Sequence, residues 1–228
     1  RRRAALGRDP VSAGQERASG TFRLDQGTAE GTFSLDGQTF DVENNVLVLG
    51  DDVECLVVDA PHDLEAIAAL VGGRHVVAVV CTHAHDDHVR KAPAAGERFA
   101  APVLLHRDDL GLWTLTHPTA APTELLEDGQ VLTVAGQEVH VLHTPGHSPG
   151  SVCLYVPALE AVLTGDTLFA GGPGATGRSF SDFPTIVESI RERLFALPPG
   201  TSVVPGHGGT TTVGDESPHL QEWVDRGH

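Results

Sequence analysis

Six consecutive residues, His83-Ala84-His85-Asp86-Asp87-His88, place three imidazoles and two carboxylates directly after the apolar run His75-Val-Val-Ala-Val-Val-Cys-Thr82. The run reads as a buried strand. In extended chain, residues two apart share a face, so His83 and His85 point the same way. Asp87 and His88 follow the strand end into an expected helix. Imidazole and carboxylate are the usual zinc donors where thiolate is absent, so the string outlines a metal site at a strand end.

Three later segments extend the outline: Thr144-Pro-Gly-His147, Leu163-Thr-Gly-Asp166-Thr-Leu-Phe169 and Val203-Val-Pro-Gly-His207-Gly-Gly209. Each sets one potential ligand at the end of an apolar, strand-like run and beside a glycine, where backbone approaches closely. In this order, and together with HxHxDH, they resemble the metallo-β-lactamase fold superfamily and, within it, the glyoxalase II-like hydrolases. The resemblance covers about residues 20 to 215. It implies an α+β fold, an αββα sandwich of two mixed β-sheets with outer helices and an active site at one edge. It assigns His83, His85 and His147 to a first metal, Asp87, His88 and His207 to a second, and Asp166 to the bridge between them. It gives Asp59, at the end of Cys55-Leu-Val-Val-Asp59, a supporting role behind a ligand imidazole or the loop amides. The implied cofactors are two zinc ions, with iron or manganese as alternatives. The implied chemistry is hydrolysis by a hydroxide shared between the metals, oriented by Asp87.

Asp166 stands where many antibiotic-degrading members carry cysteine, which turns the expectation toward small acyl thioesters of a low-molecular-weight thiol. Fourteen arginines against the single lysine Lys91, with abundant Ala, Gly and Val, are the mark of a GC-rich genome and bring mycothiol forward as the carrier. Few residues follow His207, so the helical C-terminal domain with which glyoxalase II enzymes bind glutathione is expected to be missing. Two alternatives stay open: a persulfide dioxygenase using one iron at the first site, and a lactonase. For substrate contact, Arg178 in the glycine-rich segment after Asp166 is a candidate carboxylate clamp, with an ion pair to Asp182 as its structural alternative. Trp113 is a candidate pocket wall, or else a core aromatic.

The chain has 228 residues and a formal net charge of −16, with a sequence pI of about 5.1. That balance repels phosphate backbones and anionic lipid, so a nucleic acid or membrane partner is not expected; a small-molecule substrate is, and a homo-oligomer is compatible. Cys55, Cys81 and Cys153 all fall in apolar strand-like runs and read as reduced, buried thiols. No stretch reaches membrane-spanning length. The basic start lacks an apolar continuation, so a cytoplasmic location is expected.

Residues 1–20 read as a flexible arm and 21–228 as a single metallo-hydrolase domain. Expected elements are a hairpin turning at Asp36-Gly37, paired strands around Asp51-Asp52, and a helix over 64–71 stopped by Gly72-Gly73. A short helix over 88–95, a strand at 102–106 and a short helix from Asp108-Asp109 follow. The second half is expected to hold strands at 131–134, 138–142, 152–156, 161–163 and 202–204, an amphipathic helix over 185–196, and a last helix from Pro218.

Overall fold

The computed structural model describes residues 20–227; the arm expected over 1–20 lies almost wholly outside them. The first sheet holds β1 (Arg23–Leu35), β2 (Gln38–Gly50), β3 (Glu54–Val58), β4 (His75–Val80), β5 (Val103–His106) and β6 (Glu124–Leu126), side by side in that order. Its first two pairings are antiparallel and the last three parallel. The second half supplies β7 (Val131–Val134), β8 (Gln137–His143), β9 (Val152–Val156) and β10 (Ala161–Gly165). A two-stranded ribbon of β11 (Leu168–Phe169) and β12 (Gly172–Pro173) intervenes before β13 (Ser202–Pro205) and β14 (Thr211–Thr212). The second sheet runs β14-β13-β10-β9-β8-β7, with β10 and β13 parallel.

Side-chain alternation along the strands builds three layers of core. From β3, Leu56 and Val58 face the second sheet, where they meet Val141, Leu154 and Leu163. Cys55 and Val57 face outward, against Ile67 of α1 (Leu64–Val71). The same outer layer takes Ala92 and Ala95 of α3 (Ala92–Phe99) and Leu112 of α4 (Leu110–Thr116), with α2 (Asp86–Val89) between α1 and α3 in sequence. On the far side, α5 (Phe183–Ser189) and, beyond α6 (Val213–Glu216), α7 (Leu220–Arg226) cover the second sheet with Ile186 and Trp223. The architecture is the expected αββα sandwich. The three cysteines are buried and unpaired, and burial pushes the Cys55 and Cys153 thiols up to about 11, so they behave as small hydrophobes. No helix among the described residues is long and apolar enough to cross a membrane.

Local chemistry accounts for the element ends. The hairpin turns where Asp36 and Gly37 take φ of 53° and 73°, the backbone a two-residue turn requires. Asp63 caps α1 by accepting from the amides of Glu65 and Ala66. The helix expected over 88–95 is two helices, α2 and α3, separated at Arg90-Lys91. The helix expected over 185–196 is α5 followed by a π-helical turn at Ile190–Leu194. The short strands β6, β11, β12 and β14 were not expected.

Candidate metal centre

Four strand ends meet at one edge of the sandwich. The loop after β4 carries His83 and His85 and leads into α2, which carries Asp87 and His88; His147 follows β8, Asp166 follows β10 directly and His207 follows β13. The amide of Val152 donates to Thr82 O at 2.8 Å, tying the ends of the two sheets together. The seven residues expected from the sequence converge here.

Two groups of nitrogens form. His83 Nε2 lies 3.0 Å from His85 Nδ1, which lies 2.9 Å from His147 Nε2. His88 Nε2 lies 3.2 Å from His207 Nε2, and Asp87 Oδ2 is 3.2 Å from His207 Nε2 and 3.5 Å from His88 Nε2. The Asp166 carboxylate stands between the groups. Its Oδ1 is 3.3 Å from His88 Nε2, and its Oδ2 is 3.5 Å from His207 Nε2 and 3.6 Å from His147 Nε2.

Hydrogen bonds behind the rings fix which nitrogens face inward. His147 Nδ1 donates to Ala175 O at 2.9 Å, and His207 Nδ1 to Glu43 O at 2.7 Å. A carbonyl oxygen only accepts, so Nδ1 carries the proton and Nε2 turns a lone pair into the site. His88 Nδ1 donates to Asp59 Oδ2 at 2.8 Å with the same consequence. Thr82 Oγ1 donates to Asp59 Oδ2 at 2.8 Å, which leaves it to accept from His83 Nδ1 at 3.1 Å. Lone pairs and carboxylate oxygens therefore point at one another, and Asp166 Oδ1 is buried with no hydrogen-bond partner. Such a donor set demands cations, and five imidazole nitrogens with two carboxylates suit zinc, iron or manganese. The residues fit a dinuclear centre.

Electrostatics separates the two groups. Burial, with neighbouring His88, holds His83 well below the usual imidazole range. Burial and His147 bring His85 down to about 3. In the second group burial is outweighed: Asp166, Asp87 and Asp59 raise His88 well above its ordinary value, and bonds to Asp166 and Asp87 raise His207 to about 10. Against burial, His88 and His207 hold Asp87 down at about 2 and keep Asp166 well below the carboxylate range.

Asp59 takes the place expected of it, and the left-handed φ of 60° turns it back under the loop. It accepts from the Thr82 amide at 2.7 Å as well as from Thr82 Oγ1 and His88 Nδ1. Two supporting residues escaped the sequence reading. Asp109 is fully buried and accepts from the Ala84 amide at 2.8 Å, Ser148 Oγ at 2.8 Å and the Gly150 amide at 2.5 Å. It thus clasps the two loops bearing the first group. Asn44, 1% exposed, donates to Asp87 Oδ2 at 3.1 Å while its Oδ1 accepts from His62 Nε2 at 2.8 Å. Two successive asparagines inside an apolar strand run against strand preference and were the available signal for Asn44.

A cavity of about 430 Å³ opens over the centre, lined by His85, Asp87, Asp166 and His207 and walled by Phe33, Phe40, Phe169 and Arg178 among others. Arg178 thus reaches the cavity. Trp113 does not, which corrects its expectation as a pocket wall. It is 2% exposed within the layer between the first sheet and its helices, and its Nε1 donates to Ala120 O at 2.7 Å. The indole is satisfied inside the core.

A family model described as the metallo-beta-lactamase superfamily matches residues 39–207. The chain is 33% identical over 196 residues to the probable metallo-hydrolase YqgX of Bacillus subtilis, covering 78% of this chain and 93% of that protein. It is 26% identical over 189 residues to the hydroxyacylglutathione hydrolase GloC of Haemophilus influenzae, covering 76% and 89%. Among solved structures, TTHA1623 in a di-iron-bound form shares 34% identity at a TM-score of 0.68, over 77% of this chain and 93% of that one. The B3 metallo-beta-lactamase BLEG-1 shares 31% at 0.70, over 84% and 98%. With the sandwich, the paired histidine groups and the family model in agreement over most of its length, the chain belongs to the metallo-beta-lactamase superfamily.

Proposed function

We propose that this protein is a binuclear metal-dependent hydrolase of small acyl thioesters, of the glyoxalase II-like kind. The observation that carries the binuclear reading is the Asp166 carboxylate, which reaches both histidine groups at 3.3 to 3.6 Å, Oδ1 meeting His88 and Oδ2 meeting both His207 and His147. The complete second group of Asp87, His88 and His207 favours two metals over the single iron of a persulfide oxygenase. The likeness to GloC, named as a hydroxyacylglutathione hydrolase, supports a thioester substrate.

Two divalent cations at such a centre supply Lewis acidity, bringing the pKa of water toward neutrality and polarising a carbonyl. The residues of the chain do the rest. His83, His85 and His147 would hold one cation and Asp87, His88 and His207 the other, with Asp166 within reach of both. Asn44 engages Asp87 Oδ2, which leaves Oδ1 to accept a hydrogen bond from the attacking water and orient its lone pair. Asp59 holds the His88 ring and the Thr82 backbone at once, so the two groups keep their spacing. Water oxygen bonds to the acyl carbon and the C–S bond breaks; one proton of the water leaves with the thiol, and the other is released when the acid product ionises. Phe33, Phe40 and Phe169 exclude solvent from one side of a cavity whose volume suits a small ligand.

The test is release of free thiol from a panel of acetyl, formyl and lactoyl thioesters by the metal-loaded protein. Turnover of thioesters ahead of β-lactams and acyl-lactones is the expected result. Turnover of a lactam or lactone with no thiol released from any thioester overturns the reading.

A further inference from the structure

We infer that His106, Asp108 and His143 form a further cation site, apart from the dinuclear centre, for a single zinc, nickel or copper ion. The inference does not depend on the thioester reading.

Outside the centre, these residues bring two imidazoles and a carboxylate within coordinating reach of one another. His106 is the last residue of β5 and His143 the last of β8, so each sheet contributes one imidazole. The rings stack with centroids 4.0 Å apart and planes 16° from parallel. His106 is buried, whereas Asp108 is exposed and free to turn toward it. One donor atom of each residue lies within 4.8 Å of the other two. Asp108 Oδ2 is 3.7 Å from His106 Nδ1. That is near the roughly 3.4 Å separating two donors of one tetrahedral ion with bonds of about 2.1 Å.

Hydrogen bonds set the tautomers. His143 Nε2 donates to Pro149 O at 2.9 Å; a carbonyl only accepts, so Nδ1 keeps a lone pair. The Asp108 amide donates to His106 Nδ1 at 3.3 Å, so this nitrogen also bears a lone pair, engaged by a long bond that a cation can replace. Burial and the neighbouring His143 hold His106 below the usual imidazole range, which favours the neutral form that coordinates. The end of β8 is itself fixed. Asp128 Oδ1 accepts from the His143 amide at 2.9 Å, and its Oδ2 accepts from Arg193 Nη1 at 3.1 Å. Packing alone accounts poorly for the stacked pair, since apolar side chains would fill the same space without taking ring nitrogens out of water.

Two imidazoles and a carboxylate select borderline cations over calcium and magnesium, which prefer oxygen donors throughout. With three protein donors, one of them exposed, the ion is held more weakly than those of the centre and enters last. Its place gives it a bracing role. Asp108 directly precedes Asp109, which clasps the loops of the first histidine group, and His143 lies shortly before His147 in the chain. An ion here ties β5 to β8 beside both segments.

The test adds zinc chloride to zinc-loaded wild type, Asp108→Ala and His143→Ala, each first freed of loose metal by gel filtration, and follows binding by calorimetry. Wild type is expected to take up one further equivalent and to rise in Tm as it does so. Each variant is expected to lose that equivalent and the rise, while keeping the tightly held metal of the centre. Asp108→Ala removes an exposed side chain, so a folded variant is at hand even if His143→Ala is unstable. The quantity read is the difference between wild type and variant, which is the same whether the centre holds one metal or two. No further equivalent in wild type, or its retention at wild-type affinity in either folded variant, overturns the inference and leaves the reading of the centre as it stands.

Discussion

At the scale of single residues, the two buried carboxylates behind the histidines differ in reach. Asp109 bonds to the loops holding His83, His85 and His147, whereas Asp59 grips His88 directly and, through Thr82, stands behind His83 as well. Asp109→Asn presents an amide group to donors that need acceptors. It is expected to weaken the first metal by roughly 10- to 100-fold, the usual range for a residue behind a ligand, with the second little changed. Asp59→Ala should weaken both, since it removes the acceptor of His88 Nδ1 and frees the Thr82 hydroxyl behind His83. Ser148→Ala, which removes one of the three bonds to Asp109, should show a milder first-site loss. Stepwise cobalt titration followed by visible absorption resolves the two sites; equal weakening of both by Asp109→Asn would refute the division.

Protonation separates them too. In the metal-free chain at neutral pH, His88 and His207 hold protons because their pKa values are raised, that of His207 to about 10. His83 and His85, lowered by burial, do not. Metal entering the second group must expel protons, so its affinity rises with pH until His207 titrates by itself. Calorimetry in buffers of different ionisation enthalpy measures this release directly, and filling of the second site without proton release would contradict it.

HxHxDH was legible because its ligands are neighbours in sequence and their types carry the chemistry. Asn44 and Asp109 were not, because each acts on residues 25 to 43 positions away. Trp113 misled because its residue type suits a pocket wall as well as a core, and only the carbonyl of Ala120 decides between them.

At the scale of elements, the centre depends on strands ending in glycine so that neighbouring chains come close. A Cβ at Gly206 would lie 2.5 Å from His88 Cε1 and 2.6 Å from Asp166 Oδ1. Gly206→Ala is therefore expected to displace the bridge and lose nearly all activity. Overpacking of this kind costs about 1–3 kcal/mol in stability, measurable by urea unfolding. Full activity in a folded Gly206→Ala variant would show that the close approach is dispensable.

Strands β4, β10 and β13 were readable as apolar runs because most of their residues on both faces are buried, whereas β8 was readable from the alternation of buried Val139 and Val141 with less buried neighbours. The hairpin was readable from Asp36-Gly37. Strands β11, β12 and β14 span two residues each, too short to show a period. The π-helical turn at Ile190–Leu194 keeps the same apolar spacing as the α-helix it continues, so the pattern did not reveal the change.

At the scale of the whole molecule, charge governs approach and the centre governs reaction. A net charge of −16 slows the arrival of an anion, and added salt screens that repulsion at distances beyond about 10 Å while barely touching contacts made inside the cavity. For a carboxylate-bearing thioester, kcat/KM should rise between low and moderate ionic strength, by about twofold or more; a fall would show that long-range attraction dominates. The sandwich was foreseeable because the four ligand-bearing segments, in their order, resemble the metallo-β-lactamase superfamily, and that resemblance implies its fold. Substrate was not, since it depends on a cavity assembled from the hairpin and the loop after Asp166, segments far apart in the chain.

The most direct measurement is the metal-to-chain ratio of the purified protein, set beside that of its Asp166→Ala variant. Two equivalents per chain in the wild type, dropping in the variant together with thioester turnover, is the expected result. One tightly held iron per chain, unchanged by Asp166→Ala and accompanied by oxygen uptake on a persulfide, would contradict the binuclear hydrolase.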